Sequence, residues 1–187
     1  MRIVAGRHRG RPLESPIGGS VRPTSDRARE SLFNILEHGK FALGGLSPVR
    51  GARVLDCFCG TGALGLEALS RGAAAATFLD VDSTALSLAR ANARRLGETD
   101  SAQFIAANAT RPPRADKPCT LVFLDPPYGE GLAGPTLLAL ADSGWFAPEA
   151  IAIIETAHQE TVPAPEGFMA ADQRRYGKAK LTFLRRA

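Results

Sequence analysis

The stretch Val54-Leu55-Asp56-Cys57-Phe58-Cys59-Gly60-Thr61-Gly62-Ala63-Leu64-Gly65 decides how the rest of the chain is read. An apolar run ends in an acid, a tight glycine turn follows, and a helix opens straight after it. Gly60, Gly62 and Gly65 match the G-x-G-x-x-G spacing of a nucleotide-binding turn. Gly60 permits a backbone angle closed to other residues, and the missing side chain of Gly62 is read as the place where a ligand approaches the main chain. The helix predicted over 63–71 offers N–H groups without intrahelical partners at its start. A strand–turn–helix of small residues also arises from close packing alone. Asp56 adds a sign to the motif: a carboxylate four residues before the first glycine repels a pyrophosphate and suits a cation. S-adenosylmethionine, with its amino group and sulfonium, fits such a turn better than NAD does.

Outward from this stretch the pattern alternates. Strands are predicted over 53–58, 76–80, 102–106, 119–124 and 150–154, the fourth apolar throughout except for Thr120, as in a strand buried on both faces. Between them lie the helix over 63–71, a second one capped by Ser83 and closed by Gly97, and a third over 132–143. In the second helix Leu86, Ala89, Ala93 and Leu96 share a face. Residues 168–175 and 179–185 form a closing hairpin around Tyr176-Gly177-Lys178. The alternation implies an α/β fold with a mostly parallel sheet, helices on both faces and a C-terminal antiparallel hairpin at one edge. Ahead of it, residues 1–40 read as a basic ribbon over 2–13 plus a helix, part of the same unit as 41–187. That helix ends near His38-Gly39 and presents Ala28, Leu32, Ile35 and Leu36 on one face, with Phe33 at its border.

At 187 residues the chain holds one domain, or one with a small appendage. No apolar run approaches the roughly 20 residues of a membrane helix, and the N-terminal arginines are not followed by the apolar stretch of a signal peptide. Three cysteines, Cys57, Cys59 and Cys119, argue against a disulfide framework and for a reducing compartment. Cys57-x-Cys59 lacks zinc-site spacing, so no metal is expected. The net charge of +4 is unevenly spread: residues 1–30 carry +4, residues 172–187 carry +5, and the middle carries −5. Two basic ends around an acidic centre read as a footprint for a polyanion, against the plainer reading of solubilising termini. All the N-terminal cations are Arg, which suits bidentate phosphate contacts. Arg7, Arg9 and Arg11 at the ribbon tip, with Arg22 beyond it, are the candidate nucleic-acid contacts.

Ligands of such sheets bind outside the carboxyl ends of the strands. Strand one ends in Asp56 and the glycine turn, strand two in Asp80 with Asp82, an alternative cap for the second helix, beyond it, and strand three in Asn108. Asp80 lies 18 residues after Gly62, near the usual distance for an acid that binds ribose hydroxyls. Strand four ends in Asp125-Pro126-Pro127-Tyr128. Two prolines fix the backbone and donate no hydrogen bond. The Asp125 carboxylate and the Pro126 carbonyl then stand as two rigid acceptors, a match for the two hydrogens of an exocyclic amine. Tyr128 offers a face on which a base can stack. The sequence Arg22-Pro23-Thr24-Ser25-Asp26 is a helix start whose basic, rigid and hydroxyl groups also suit a lid over a ligand.

Asp56 through Gly62 together with Asp125 through Tyr128 resembles the SAM-dependent amino-methyltransferases with a Rossmann-like fold. The N-terminal Arg2-Ile3-Val4-Ala5-Gly6, the run from Arg22 through Leu36, and Tyr176-Gly177-Lys178 narrow the likeness. Together they resemble the bacterial 16S ribosomal RNA guanine-N2 methyltransferases, over essentially the whole chain. The resemblance implies that Asp56, Phe58, Gly60 and Gly62 line the methionine end of S-adenosylmethionine, that Asp80 holds the ribose, Asn108 the adenine region, and that Thr24 belongs to the cofactor site. Many relatives in the wider superfamily have Asp where Asn108 stands. It further implies that Asp125, Pro126, Pro127 and Tyr128 hold the target base, and that the enzyme is a cytoplasmic monomer acting on 16S rRNA in the assembling small subunit. DNA adenine-N6 methylation also uses Asp-Pro-Pro-Tyr but calls for duplex-reading sequence that this chain has little room for. An NAD-dependent oxidoreductase has no use for that motif, and a non-catalytic RNA-binding module leaves the acid-and-glycine rim unexplained.

Overall fold

A computed structural model describes residues 1–15, 26–42 and 45–187. Seven strands form one sheet: β1 (Arg53–Cys57), β2 (Ala75–Asp80), β3 (Ala102–Ala106), β4 (Cys119–Leu124), β5 (Phe146–Ala157), β6 (Phe168–Tyr176) and β7 (Ala179–Arg186). Their order is β3-β2-β1-β4-β5-β7-β6. Neighbours from β3 to β5 run parallel, and β7 lies antiparallel between β5 and β6. The helices are α1 (Asp26–His38), α2 (Ala63–Ser70), α3 (Ser83–Leu96) and α4 (Ala133–Asp142). Strand order reverses between β1 and β4, which opens a crevice at their carboxyl ends. β5 is longer than the predicted 150–154. Its far half is held by antiparallel pairing with β7 from Ile151 to Ala157, a partner invisible in its own composition.

The sheet separates two apolar clusters. On one face, Val54, Leu121, Phe123, Ile151 and Ile153 pack beneath α1, α2 and α3; on the other, Leu55, Val122, Leu124, Ala152 and Ile154 pack against α4 and Trp145. Alternate residues of each strand take opposite faces, so the apolar parallel strands follow from burial on both sides. Among the described residues α4 is the one helix on its face, and its Leu137 and Leu140 are fully covered. Asp82, rather than Ser83, caps α3: its carboxylate accepts from Thr84 N at 2.8 Å, while Gly97 closes the helix at φ 75°.

One expectation for the N-terminal region needs correction. The buried face of α1 is Arg29, Leu32, Phe33 and Leu36, with Ala28 and Ile35 only half-covered. Phe33 sits at its centre, 5.7 Å from the Phe123 ring. The guanidinium of Arg29 is admitted to the core because the fully buried Glu67 of α2 lies 3.5 Å away and Asp26 2.9 Å away, and because it also donates to the Arg2 carbonyl. Residues 2–13 fold back on themselves as a short ribbon: Leu13 N donates to the Met1 carbonyl, Ile3 N to the Arg11 carbonyl and Gly10 N to the Ile3 carbonyl, with Arg2 bridged to Pro12 and a 3-10 turn at Gly6–His8. The ribbon is fastened to α2: Glu67 accepts from Val4 N at 2.8 Å and Ala5 N at 2.9 Å, and Ser70 Oγ accepts from His8 N and donates to the Ala5 carbonyl. A Cβ on Gly6 would fall 2.0 Å from the Ser70 carbonyl oxygen. The segment is a strap across α2, and Ile3 and Leu13 join the same cluster as α1.

Candidate active site

The glycine turn carries β1 into α2 at the crevice. Phe58, the first residue past β1, has φ 62°, a value uncommon outside glycine. It is held there by Phe58 N and Cys59 N, which both donate to the Leu79 carbonyl at the end of β2. Gly60 follows at φ 52° and Gly62 at φ 77°. Gly60 has the left-handed backbone expected of it, whereas the role of Gly62 differs from expectation. A Cβ on Gly62 would face inward, 3.1 Å from Ala89 and 3.2 Å from the Phe78 ring, so its bareness serves helix packing. A Cβ on Gly60 would meet nothing within 4 Å, so Gly60 is where the main chain stands open to a ligand. Gly65 completes the packing, because a Cβ there would lie 2.4 Å from Phe78.

Three acids crowd this rim. Asp56 is 1% exposed and lies under the turn, with Oδ2 accepting from Gly65 N at 2.8 Å. Burial pushes its carboxyl up to about 8; the Gly65 N–H opposes the rise, and the charges of Asp125 and Asp80 add to it. Asp80, at the end of β2, accepts from Gly60 N and Asp82 N, both at 3.0 Å. It therefore shapes the open glycine and still presents carboxylate lone pairs outward. Asn108 is exposed beyond β3, and its Oδ1 takes both the N–H and the hydroxyl of Thr110 at 2.9 Å. Its carbonyl is thus engaged locally by Thr110. Burial also pushes the thiols of Cys57 and Cys59 upward. All three cysteines are free and buried.

Asp125 follows β4 directly across the switch from β1, its N–H donating to the Cys57 carbonyl at 3.3 Å. Asp125 is half-buried, Pro126 buried, Pro127 and Tyr128 exposed. The Tyr128 hydroxyl donates to Glu155 Oε1 at 2.6 Å. Glu155, near the end of β5, went unnoticed in the sequence, where it is one acid in an apolar run with no motif around it. Parallel pairing of Leu124 with Ile154 makes Asp125 and Glu155 neighbours. The nearest sequence signal was the isolated acid closing Ala150–Ile154.

The basic residues are dispersed. Arg7 makes two 2.7 Å hydrogen bonds to the buried Glu98, which also lies 2.5 Å from His8 Nε2. Its guanidinium edge is engaged inside the protein, so Arg7 is a strut of the strap. Arg9 is exposed, and Arg11 reaches the Arg95 carbonyl at 3.4 Å. Arg22 and Thr24 lie outside the described residues. No cluster of metal-binding side chains occurs among the described residues, and no described helix is long and apolar enough to cross a membrane.

A parallel sheet reversed at β1 and β4, with a glycine turn, an acid rim and Asp-Pro-Pro-Tyr at the switch, defines a methyltransferase of the Rossmann-like, S-adenosylmethionine-dependent class. The chain belongs to the family described as conserved hypothetical protein 95, whose model matches residues 1–185. It is 39% identical over 171 residues to ribosomal RNA small subunit methyltransferase D of Escherichia coli K12, covering 87% of this chain and 78% of the relative. The Haemophilus influenzae protein of the same name is 32% identical over 181 residues, covering 95% and 89%. Among solved structures, yhhF of Escherichia coli, described as a candidate methyltransferase, matches at 35% identity with a TM-score of 0.82, covering 100% of this chain and 97% of that one.

Proposed function

We propose that the protein methylates the exocyclic N2 of a guanine in small-subunit ribosomal RNA, with S-adenosylmethionine as donor. One observation carries the reading: Asp125-Pro126-Pro127-Tyr128 follows β4 at the switch point, beside the glycine turn of β1. The names of the relatives, ribosomal RNA small subunit methyltransferase D, support the substrate class.

The residues fit the cofactor. Gly60 opens its main chain to the crevice, where a Cβ would occupy empty space. Asp80 gives the surroundings a negative character suited to a cationic ligand and is placed for a ribose, while Asp56, kept protonated by burial, would ionise beside the cation. Phe58, Gly60 and Gly62 would shape the methionine end and the Asn108 amide the adenine end. When bound, the cofactor supplies an electrophilic methyl on a sulfonium that leaves as a neutral thioether, a chemistry that asks for no metal.

The chain's own contribution is positioning. Guanine N2 is a poor nucleophile because its lone pair is delocalised into the ring. The Asp125 carboxylate and the Pro126 carbonyl accept its two hydrogens, which favours a pyramidal nitrogen and turns the lone pair outward. Tyr128 stacks on the extruded base. Asp125 or water takes the proton. Arg9, Arg11 and Arg22 supply phosphate contacts in this reading. A small subunit in the cytoplasm and a monomeric enzyme are the setting it implies.

The test is to incubate unmethylated small subunits with labelled S-adenosylmethionine and map the modified nucleotide. N2-methylguanine in the small-subunit RNA is expected. Label found on adenine, or no transfer to RNA, overturns the reading.

A further inference from the structure

We infer that Glu155 selects the target base: its carboxylate accepts the N1–H of a guanine whose N2 is held by Asp125 and Pro126. The inference rests on the amine-methylating reading above and names what decides between purines at that site.

Asp-Pro-Pro-Tyr by itself does not choose. Two acceptors and a stacking ring serve any exocyclic amine on any purine. The bases differ in the ring atom beside the amine. Guanine presents a donor, N1–H, next to its N2 amine, whereas adenine presents a lone pair, N1, next to its N6 amine. A site specific for guanine therefore needs a third acceptor close to the first two.

The sheet supplies it. Leu124 pairs with Ile154 in parallel register, so Asp125 and Glu155 occupy the next positions on adjacent strands, about 4.8 Å apart at the backbone. Phe123 and Ile153, two residues before each, belong to the same apolar cluster, as does Leu181, which pairs with Glu155 from β7. Side chains two apart share a face. The carboxylates of Asp125 and Glu155 are thus directed to one side of the sheet, at its carboxyl rim. The Tyr128 hydroxyl donates to Glu155 Oε1 at 2.6 Å, which ties the stacking ring and the carboxylate together. That bond orients the glutamate and makes Tyr128 a positioning residue for it. An acceptor meeting the lone pair of adenine N1 is repelled and leaves a polar group unpaired, the arrangement that discriminates most strongly between close analogues.

The experiment uses the full chain and small subunits reconstituted with 16S rRNA carrying either guanine or 2-aminopurine at the mapped position. 2-Aminopurine keeps the 2-amine but has a lone pair at N1. Single-turnover methyl transfer is measured for wild type, Glu155→Gln and Tyr128→Phe, with S-adenosylmethionine affinity as a control. Wild type should prefer guanine by at least roughly tenfold, the scale of one good base-edge contact. Glu155→Gln, whose amide can donate to N1, should shrink that preference about tenfold or more at unchanged cofactor affinity, and Tyr128→Phe should shrink it less. Equal wild-type rates on the two bases overturn the assignment, and so does a Glu155→Gln enzyme slowed alike on both. A wild-type enzyme that forms no N2-methylguanine at all overturns instead the reading on which it rests.

Discussion

Oδ2 of Asp56 accepts a 2.8 Å hydrogen bond from Gly65 N, so the acid one residue before the end of β1 holds the first turn of α2 from beneath. The same carboxylate lies between two other acids and almost wholly out of water, which is why burial pushes it up to about 8. A folded-state value above the unfolded 3.8 means that the native state binds the proton more tightly. Its stabilising contribution is complete below the unfolded value, declines as pH rises toward about 8, and is gone above that. Asp56→Asn keeps an acceptor for Gly65 and loses the titration. The variant should gain on wild type in Tm between pH 4 and 8, where each kcal/mol is worth about 2–4 °C. Parallel Tm-against-pH curves would refute this.

A cation beside Asp56 favours its ionised form, so cofactor binding should release a proton. Calorimetry at pH 7 in buffers of different ionisation enthalpy should show that release in wild type and less of it in Asp56→Asn. Equal proton release in the two proteins would show that Asp56 does not sense the ligand.

Asp80 should be needed twice, for the ribose and for the open turn, since it anchors Gly60 N and Asp82 N. Asp80→Ala should weaken S-adenosylmethionine binding by roughly 1.5–3 kcal/mol for each charge-assisted bond removed. Titration of the folded variant at wild-type affinity would remove Asp80 from the site.

For Asp125→Ala the loss should fall on the rate of methyl transfer, because its acceptor acts most strongly as the amine becomes pyramidal. Cofactor affinity should stay close to wild type. Tyr128→Ala should weaken base capture by roughly 1–3 kcal/mol. Single-turnover rates at saturating substrate separate these outcomes from a turn that matters only for folding, which lowers Tm without a rate defect.

Arg7 and its neighbours should part company. Arg7→Ala leaves the buried Glu98 without its two guanidinium bonds and should cost about 1–3 kcal/mol of stability. Arg9→Ala with Arg11→Ala should leave stability alone and reduce the salt dependence of RNA binding, by roughly 0.7–0.9 in log–log slope for each phosphate no longer neutralised. A double variant with wild-type affinity and slope removes this segment from the RNA footprint.

Local chemistry was enough to set the frame. β1, the glycine turn and α2 are contiguous, so their order, the positive φ of Gly60 and Gly62 and the seat of Asp56 follow from neighbours a few residues apart. Mostly apolar runs marked β2 and β4 because strands covered on both faces have little polar side to show. What a residue meets across the fold was not written in its surroundings. Arg29 enters the core of α1 because Glu67 waits on α2, a pairing that hydrophobic periodicity reads in reverse. The ribbon of residues 2–13 becomes a strap on α2 because the buried carboxylate of Glu67 and the hydroxyl of Ser70 take the N–H groups of Val4, Ala5 and His8, partners that strand propensity does not name. Gly62 turns inward because Phe78 and Ala89 arrive from β2 and α3. Glu155 comes beside Asp125 from thirty positions away only through the parallel register of β4 and β5. Backbone propensity and turn chemistry act over one turn or one strand and can be read in order along the chain, whereas strand register and the pairing of buried charge depend on partners that only folding brings together.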